Sequence, residues 1–222
     1  MQSGIPEILY EDNHLIIVYK PHGWLVHGDH TKDESLGDWL KLFIKKKYQK
    51  PGEVFLGTIH RLDRPVGGIM VFARTSKALE RMNKLFSEKK VKKVYQAIIA
   101  KKPEKEKGVL LNWIWKNSKK NKVELSEFQA NHEWKQAETH YQIIGNYGKF
   151  QLIQLIPITG RSHQLRAQLA YIGLPIIGDL KYGSKINIPD GNLALQCVSL
   201  SFQHPVTKVE LEIKLKKIKW NI

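Results

Sequence analysis

Hydrophobic residues recur along the chain in two kinds of pattern, one typical of strands and one of helices. Short apolar runs that end in turn residues predict strands at 8–10, 15–20, 68–74, 95–100, 109–115, 138–144, 150–156 and 193–202. Apolar residues three or four positions apart predict a helix after Ser35 and further helices at 77–89 and near 162–171. Alternation of apolar and charged residues over 209–217 predicts a half-buried strand. The pattern predicts an α+β fold with a mainly antiparallel sheet.

Composition narrows the class of protein. The chain has 222 residues, 42% of them hydrophobic, so it can form a sizeable core and is not expected to be disordered. No apolar run approaches the roughly 18 residues of a membrane span, and the first residues lack a signal-peptide pattern. The single cysteine, Cys197, excludes an intramolecular disulfide framework and a cysteine-based zinc cluster. We expect a cytoplasmic protein, without a membrane partner, that folds as one domain over 1–222.

Positive charge suggests the kind of partner. The chain carries 36 Lys and Arg against 21 Asp and Glu, a net charge of +15. Lysines gather in runs at 45–47, 89–93, 101–102, 119–120 and 214–219. Any one run is equally well explained as solvated surface, but together they favour a polyanion such as nucleic acid. Trp113, Trp115 and Trp134 lie near basic runs, where they either stack on bases or cover the sheet.

Two polar segments are candidates for chemistry. The first is 60–68, His-Arg-Leu-Asp-Arg-Pro-Val-Gly-Gly, which comes directly before an apolar strand. Within it Asp63 lies among arginines, whose charge favours an ionised carboxylate that either acts as a nucleophile or forms an ion pair that braces a turn. The second segment is 159–166, where polar residues open a helix. A metal site built on His60 and Asp63 is disfavoured, because no ligand pattern accompanies them.

Several segments, in the same order along the chain, resemble the RluA family of RNA pseudouridine synthases. The segments are 8–23, which ends in a Lys-Pro-His-Gly turn; 60–63, His-Arg-Leu-Asp; 93–97, Lys-Val-Tyr-Gln-Ala; 160–166, Gly-Arg-Ser-His-Gln-Leu-Arg; and 174–183, Leu-Pro-Ile-Ile-Gly-Asp-Leu-Lys-Tyr-Gly. The resemblance implies the pseudouridine synthase fold, with an active-site cleft across a mixed sheet. It also implies that uridine in structured ribosomal or transfer RNA is converted to pseudouridine.

The resemblance assigns catalytic roles to three residues. Asp63 corresponds to the nucleophile of the family. Tyr95 corresponds to the tyrosine that stacks on the uracil, and Arg166 to the arginine that pairs with the catalytic aspartate. The N1–C1′ bond of uridine breaks and C1′ rejoins the base at C5, so the family reaction needs neither a cofactor nor a metal. Whether Asp63 attacks C1′ directly or acts after a glycal forms stays open.

Four further residues are expected to contact the substrate. Arg61 corresponds to the arginine that fills the space left by the flipped base. Arg161 belongs to the 160–166 motif. His60 and His163 are assigned to local packing or phosphate contact, without an acid–base role. RNA is the expected partner, and the protein is expected to be a monomer.

The chain departs from the family pattern at two points. Family members read Thr-Ser-Gly where this chain has Val66-Gly67-Gly68, a change that loses two hydroxyls and adds backbone freedom. The pattern begins near Ile8, so the small RNA-binding domain that precedes many relatives is not expected here. The first departure is the one support for an alternative, an RNA-binding or ribosome-assembly protein that has lost the reaction. A glycosidase-like hydrolase is weaker, because it requires a second, paired carboxylate.

Overall fold

The computed structural model describes residues 4–119, 121–216, 218 and 220. In chain order, its strands and helices are β1 (Glu7–Glu11), β2 (Leu15–Lys20), α1 (Leu36–Lys47), β3 (Gly57–Thr58), β4 (Gly67–Ala73), α2 (Ser76–Ser87), β5 (Lys92–Ile99), β6 (Lys107–Asn117), β7 (Lys122–Ser126), β8 (Lys135–Tyr147), β9 (Phe150–Pro157), α3 (Gln164–Tyr171), β10 (Leu195–Gln203) and β11 (Glu210–Lys214). Two short 3₁₀ turns lie at Leu180–Tyr182 and Pro189–Gly191. The predicted α+β class is confirmed.

The described residues form two compact units. One holds the residues up to Val91 together with those from Val198 to 216, and the other holds Lys92–Cys197 with 218 and 220. Strand β10 contributes residues to both units. The expectation of a single domain over 1–222 stays a prediction.

The first unit is built on a hairpin and the strand beside it. β1 pairs antiparallel with β2, and β2 pairs antiparallel with β4 along its whole length. Asp12 closes the hairpin, because its Oδ1 accepts the amides of His14 at 2.8 Å and Leu15 at 2.7 Å. Every residue of β4 is buried. This pairing places the loop before β4 next to the turn that follows β2.

Two capped helices complete the first unit. Ser35 caps α1 by accepting the amide of Asp38 at 3.2 Å, as the sequence pattern predicts. Leu36, Leu40 and Ile44 form the buried side of α1. Helix α2 is capped by Thr75 and contacts β3 and β4. Helix α2 therefore packs on the strands of this unit.

The second unit is an antiparallel sheet with one helix against it. Its strands lie in the order β5, β9, β8, β6, β7, and each neighbouring pair is antiparallel. Helix α3 contacts β6 and β7. Ile114, Val123, Ala137, Ala167 and Tyr182 form a buried cluster on this side of the sheet. The predicted, mainly antiparallel sheet is confirmed.

Some boundaries differ from the predicted ones for local reasons. Helix α3 begins at Gln164 and not near 162, because His163 has a left-handed backbone with φ of 50°. Strand β7 is not predicted from the sequence, since its five residues include only two apolar ones, Val123 and Leu125. None of the helices in the described ranges is long and apolar enough to cross a membrane.

Candidate functional site

Asp63 lies on the loop between β3 and β4, which we call the Asp63 loop (residues 59–66). Leu62 and Val66 are buried, 7% and 3% exposed, and anchor the loop on either side of the partly exposed Asp63. The Val66 amide donates to the Asp63 carbonyl oxygen at 3.0 Å, which closes a tight turn. The sequence thus places a carboxylate on a turn that is fixed by two apolar anchors.

Lys20, at the end of β2, ties that strand to the Asp63 loop. Its side chain is fully buried, and its ammonium group donates to the carbonyl oxygens of Pro21 at 3.2 Å, Trp24 at 2.8 Å and Arg64 at 3.1 Å. Burial lowers the pKa of Lys20 to about 7, and the charge of Asp63 acts in the opposite direction. Three carbonyl acceptors satisfy the three donors of a buried ammonium group. The Lys20 side chain is therefore fixed close to the predicted nucleophile.

Arg64 braces the Asp63 loop from its other side. Its Nε donates to the carbonyl oxygen of Gly23 at 3.1 Å, and its guanidinium forms an ion pair with Asp33. The Gly23 amide donates in return to the Arg64 carbonyl oxygen at 2.9 Å. Arg61, on the same loop, is exposed. The two arginines near Asp63 thus differ, since Arg64 has structural partners and Arg61 extends toward solvent.

His60 is fixed by packing and by one backbone hydrogen bond. Its Nε2 accepts the amide of Val71 in β4 at 3.1 Å, and its ring stacks on Phe86 of α2 with centroids 5.1 Å apart. These contacts hold the imidazole against β4 and α2. Its predicted contact with substrate stays a prediction.

The departure from the family pattern at Gly67 has a packing explanation. A Cβ atom at Gly67 would lie 2.6 Å from Cε1 and 2.8 Å from Nδ1 of the His22 ring. A serine at this position therefore requires the imidazole to move. Glycine allows His22, in the turn after β2, to lie directly against the start of β4. The glycine is therefore matched to a neighbouring side chain.

Gly67→Ser is expected to lower the free energy of unfolding by about 1–3 kcal/mol, because the added atoms overlap the His22 ring. His22→Ala in the same chain is expected to recover much of this loss, since it removes the ring. Urea unfolding of the wild type, both single variants and the double variant gives the coupling energy between the two positions. Strictly additive losses would contradict the proposed contact.

Tyr95 and Lys93 lie on β5 in the second unit. Tyr95 is 9% exposed and pairs with Leu155 of β9. Lys93 is partly buried, and burial lowers the pKa of its ammonium group. A Cβ atom at Gly160 would lie 3.7 Å from Lys93 Nζ, so this cation lies beside the start of the 160–166 motif.

Gln164 organises the turn that opens α3. Its Oε1 accepts the amide of Arg161 at 2.9 Å and the hydroxyl of Thr159 at 2.7 Å. Its Nε2 donates to the Glu138 carbonyl oxygen at 3.0 Å and to the Thr139 hydroxyl at 2.9 Å. The exposed Arg161 is therefore held by its backbone to a buried amide in the first turn of the helix.

Arg166 is buried and forms a two-point ion pair with Asp179. Nε donates to Asp179 Oδ2 at 2.7 Å and Nη2 donates to Oδ1 at 2.9 Å. The guanidinium also lies over the Tyr182 ring, 5.1 Å from its centroid. The Tyr182 hydroxyl accepts the Val123 amide at 3.0 Å and lies 2.8 Å from His163 Nδ1. Asp179 and Tyr182 thus fix the plane of the Arg166 guanidinium.

The predicted site residues fall into two groups. The first unit carries His60, Arg61 and Asp63, and the second carries Tyr95, Arg161, His163 and Arg166. The roles predicted for all seven stay predictions. The residues from 4 to 119 and 121 to 216, with 218 and 220, contain no group of three His, Cys, Asp or Glu residues arranged to hold a metal ion.

Three charged residues that lie near the predicted ones were not themselves predicted as site residues: Lys20, Lys93 and Asp179. Lys20 and Lys93 lie in motifs described above, but a lysine at the end of a strand is equally typical of a solvent-exposed surface. Asp179 lies in the 174–183 segment, but nothing in its spacing from Arg166 indicates the ion pair. For Lys20 and Lys93 the signal is positional, since each is a charged residue directly beside an apolar run.

Comparison with known proteins places these motifs in a family. The chain matches the family model described as RNA pseudouridylate synthase over residues 14–171. It is 32% identical over 216 residues to ribosomal large subunit pseudouridine synthase C of Buchnera aphidicola subsp. Baizongia pistaciae, covering 93% of this chain and 65% of the relative. It is 31% identical over 221 residues to ribosomal large subunit pseudouridine synthase D of Vibrio cholerae, covering 92% and 65%. The chain therefore spans about two thirds of the length of these relatives.

Solved structures with a similar fold carry related names. The structure of Human RNA Pseudouridylate Synthase Domain Containing 4 is 26% identical, with a TM-score of 0.79 over 95% of this chain and 88% of that one. Human RNA Pseudouridylate Synthase Domain Containing 1, at 22% identity, has a TM-score of 0.73 over 98% and 86%. At 22% identity, the second comparison supports similarity of fold alone. The predicted fold class is confirmed by both.

Proposed function

Because the chain belongs to the RNA pseudouridylate synthase family, we propose that it converts uridine to pseudouridine in RNA, with Asp63 as the nucleophile. The observation that carries the proposal is the His-Arg-Leu-Asp signature at 60–63, on a loop that leaves Asp63 partly exposed. The names of the relatives support ribosomal large-subunit RNA as the substrate. The net charge of +15 supports RNA as the partner.

The proposed reaction rearranges one nucleotide without net gain or loss of atoms. The N1–C1′ bond breaks, the uracil turns, and C1′ bonds to C5; C5 then loses its proton while N1 gains one. Asp63 is the carboxylate that takes part at the sugar, directly or through a glycal. Lys20, whose ammonium group is fixed by three carbonyl oxygens, adds positive charge near that carboxylate. Its bond to the Arg64 carbonyl oxygen holds the Asp63 loop beside the end of β2.

Tyr95 and Arg166 complete the proposed catalytic set. Tyr95 stacks on the uracil and is the candidate acceptor for the C5 proton. Arg166 stabilises the charge of the ionised nucleophile. Asp179 supports that role, because a guanidinium held at two points keeps a fixed direction for its remaining donors. Asp179 is thus proposed as a positioning residue.

The remaining predicted residues are proposed to hold the RNA. The target base must leave its stack to reach a protein carboxylate, at a cost of a few kcal/mol. Arg61 is exposed on the Asp63 loop and is proposed to fill the space that the base leaves. Arg161 is exposed at the start of α3 and is proposed to bind phosphate, with His163 supporting the same turn. RNA of the large ribosomal subunit implies a cytoplasmic site of action.

Mapping pseudouridine in cellular RNA tests the proposed function. Cells that lack the protein are expected to lose pseudouridine at one or a few positions of large-subunit ribosomal RNA and to regain it on complementation. Loss confined to transfer RNA would keep the reaction and overturn the proposed substrate. A map unchanged under several growth conditions would overturn the enzyme proposal.

A further inference from the structure

The second unit carries a hollow that none of the proposed catalytic residues lines. Its volume is about 650 Å³, within the range of roughly 300–1,000 Å³ typical of ligand sites. Gly160, Arg161 and Ser162, in the turn before α3, form one part of its wall, and residues of β6, β7, β8 and the loop before β8 form the rest. We call it the Lys116 hollow. It is continuous with the 160–166 motif.

Two lysines share one face of the sheet with the apolar floor of this hollow. Lys135 of β8 lies opposite Ile114, and Lys116 of β6 lies opposite Val123. Residues opposite each other in an antiparallel pair, and residues two apart along one strand, have side chains on the same face. Ile114 and Val123 are 5% and 3% exposed and pack in one buried cluster with Ala167 of α3. The exposed Lys116 and Lys135 therefore lie on the α3 side of the sheet.

Arg161 supplies a third cation from the turn before α3. Its Nε donates to the carbonyl oxygen of Gln136, the residue after Lys135 on β8, at 3.1 Å. Its backbone amide donates to Gln164 Oε1 at 2.9 Å. The guanidinium is thus anchored along one edge, and no described residue bonds to its Nη1 or Nη2. Paired guanidinium nitrogens match the oxygens of a phosphate group.

The charge that faces this hollow is positive. None of the ion pairs among the described residues includes Lys116, Lys135 or Arg161. Glu133 is the one carboxylate of the described lining, and its Oε2 accepts Trp115 Nε1 at 3.2 Å. Trp115 is adjacent to Lys116 along β6, so its side chain lies on the opposite face of the sheet. The carboxylate is therefore bonded to the other face, and the three cations favour an anion.

We propose that the Lys116 hollow binds backbone phosphates of the substrate RNA, away from the target uridine. Lys116 and Lys135 are diagonal neighbours in the sheet, with Cα atoms about 7–8 Å apart, and each neutralises one phosphate. Arg161 binds phosphate oxygens through Nη1 and Nη2. RNA is favoured over an acidic protein because the hollow adjoins the motif that carries the proposed catalytic Arg166.

The inference rests on the proposed function, because it names where a second part of the same RNA is held. Phosphate contacts fix the register of a strand on a protein and carry no sequence information. The hollow therefore sets where the RNA lies along the second unit, and the bases near the target uridine are left to determine sequence preference.

The salt dependence of binding tests the phosphate contacts. Purified protein is titrated with an oligouridylate of about twelve nucleotides at several salt concentrations. Each phosphate contact to a single strand contributes roughly 0.7 to the slope of log affinity against log salt concentration. Lys116→Gln with Lys135→Gln is therefore expected to reduce the slope by about 1.4, and Lys116→Arg with Lys135→Arg is expected to keep it. An unchanged slope in the glutamine pair would overturn the proposal.

A matched pair of variants separates the hollow from the general positive surface. Lys101→Gln with Lys105→Gln removes two exposed cations of the same unit that precede β6, whereas Lys116 lies near the end of that strand. This control pair is expected to keep the slope of the wild type, since neither lysine lines the hollow. An equal fall in both pairs would assign the effect to the general surface and overturn the proposal.

Competitors identify the class of ligand. Polyglutamate and uridine monophosphate are each expected to displace the oligouridylate only at concentrations well above its own. Polyglutamate that binds as tightly as the oligouridylate, and depends equally on Lys116 and Lys135, would assign the hollow to an acidic protein. Uridine monophosphate with the same behaviour would indicate a small-molecule site. Either result would overturn the proposal.

Kinetics distinguish failure of this inference from failure of the proposed function. On ribosomal RNA, Lys116→Gln with Lys135→Gln is expected to raise KM while kcat is maintained, since the two cations bind away from the reacting atoms. Unchanged KM with intact isomerisation would overturn the inference and leave the function standing. A salt slope that depends on the two lysines, in a protein without isomerisation, would support the hollow and overturn the function.

Discussion

Asp63→Asn is expected to reduce isomerisation by roughly 10⁴-fold or more, the scale of loss when other enzymes lose a nucleophile or its immediate partner. Asparagine has the shape of aspartate, so Leu62 and Val66 still anchor the loop, but its amide is a poor nucleophile. Release of tritium from RNA labelled at C5 of uridine measures the reaction, because C5 exchanges its hydrogen for the bond to C1′. Binding of the same RNA is expected to remain close to that of the wild type.

The control for this variant is Asp29→Asn. Asp29 is also an exposed-loop aspartate of the first unit, and its carboxylate bonds only to Thr31 among the described residues. The two variants change the net charge equally, so a purely electrostatic effect on RNA binding appears in both. Tritium release by Asp63→Asn at the rate of Asp29→Asn would remove Asp63 from its proposed role.

Asp179→Ala is expected to lower the free energy of unfolding by about 3–5 kcal/mol, because it removes a two-point ion pair from a buried guanidinium. Arg166 is 7% and Asp179 1% exposed in their side chains, so water does not replace the lost partner. Asp179→Asn keeps one acceptor and is expected to lose less. Urea unfolding with a common slope for all variants measures the differences.

The double variant Arg166→Met with Asp179→Leu separates burial of charge from packing. Apolar residues in place of both partners remove the uncompensated charge, so the double variant is expected to be more stable than Asp179→Ala alone. If the free energy of unfolding of the double variant falls by the sum of the losses in the two single variants, the stabilisation comes from the packing of the two side chains and not from their charges. In either case Asp179→Asn is expected to lower kcat more than it raises KM, since Asp179 orients the proposed catalytic arginine.

The local pattern of apolar and polar residues was sufficient to predict most strands and helices. It was insufficient where tertiary contacts determine whether a segment forms a strand or where a helix begins. Strand β2 lies at the predicted residues 15–20, because its apolar run is bounded by turns on both sides. Strand β7 could not be predicted, since its pairing with β6 stabilises a segment with little apolar content of its own. The start of α3 was misplaced by two residues because the left-handed backbone of His163 is set by the bonds around it.

The candidate site was recognised from motifs, and its supporting contacts were not. Asp63, Tyr95 and Arg166 stand in segments that the resemblance identifies, so their positions needed no structure. Asp179 is 13 residues from Arg166, and no spacing rule joins a helix to a loop across that interval. Gln164 lies in the quoted motif as well, but a polar residue in a short helix is ordinarily expected on the exposed side. Its buried position depends on Thr139 of β8, which only the fold brings within reach.

The buried amides of α3 give that helix a single rotational setting about its own axis. The two N–H groups of Gln168 Nε2 are shared among Asn112 Oδ1 at 3.0 Å and the carbonyl oxygens of Leu110 and Ala137, and its Oε1 accepts the Thr139 hydroxyl at 2.7 Å. A turn of the helix by one residue would leave these groups buried and unbonded. Arg161 lies just before this helix and Arg166 lies within it. The two arginines therefore keep a constant angle to each other about the helix axis. Replacement of one of these amide side chains alone would leave its hydrogen-bond partners buried and unbonded. Substitutions at these positions are therefore expected to occur together.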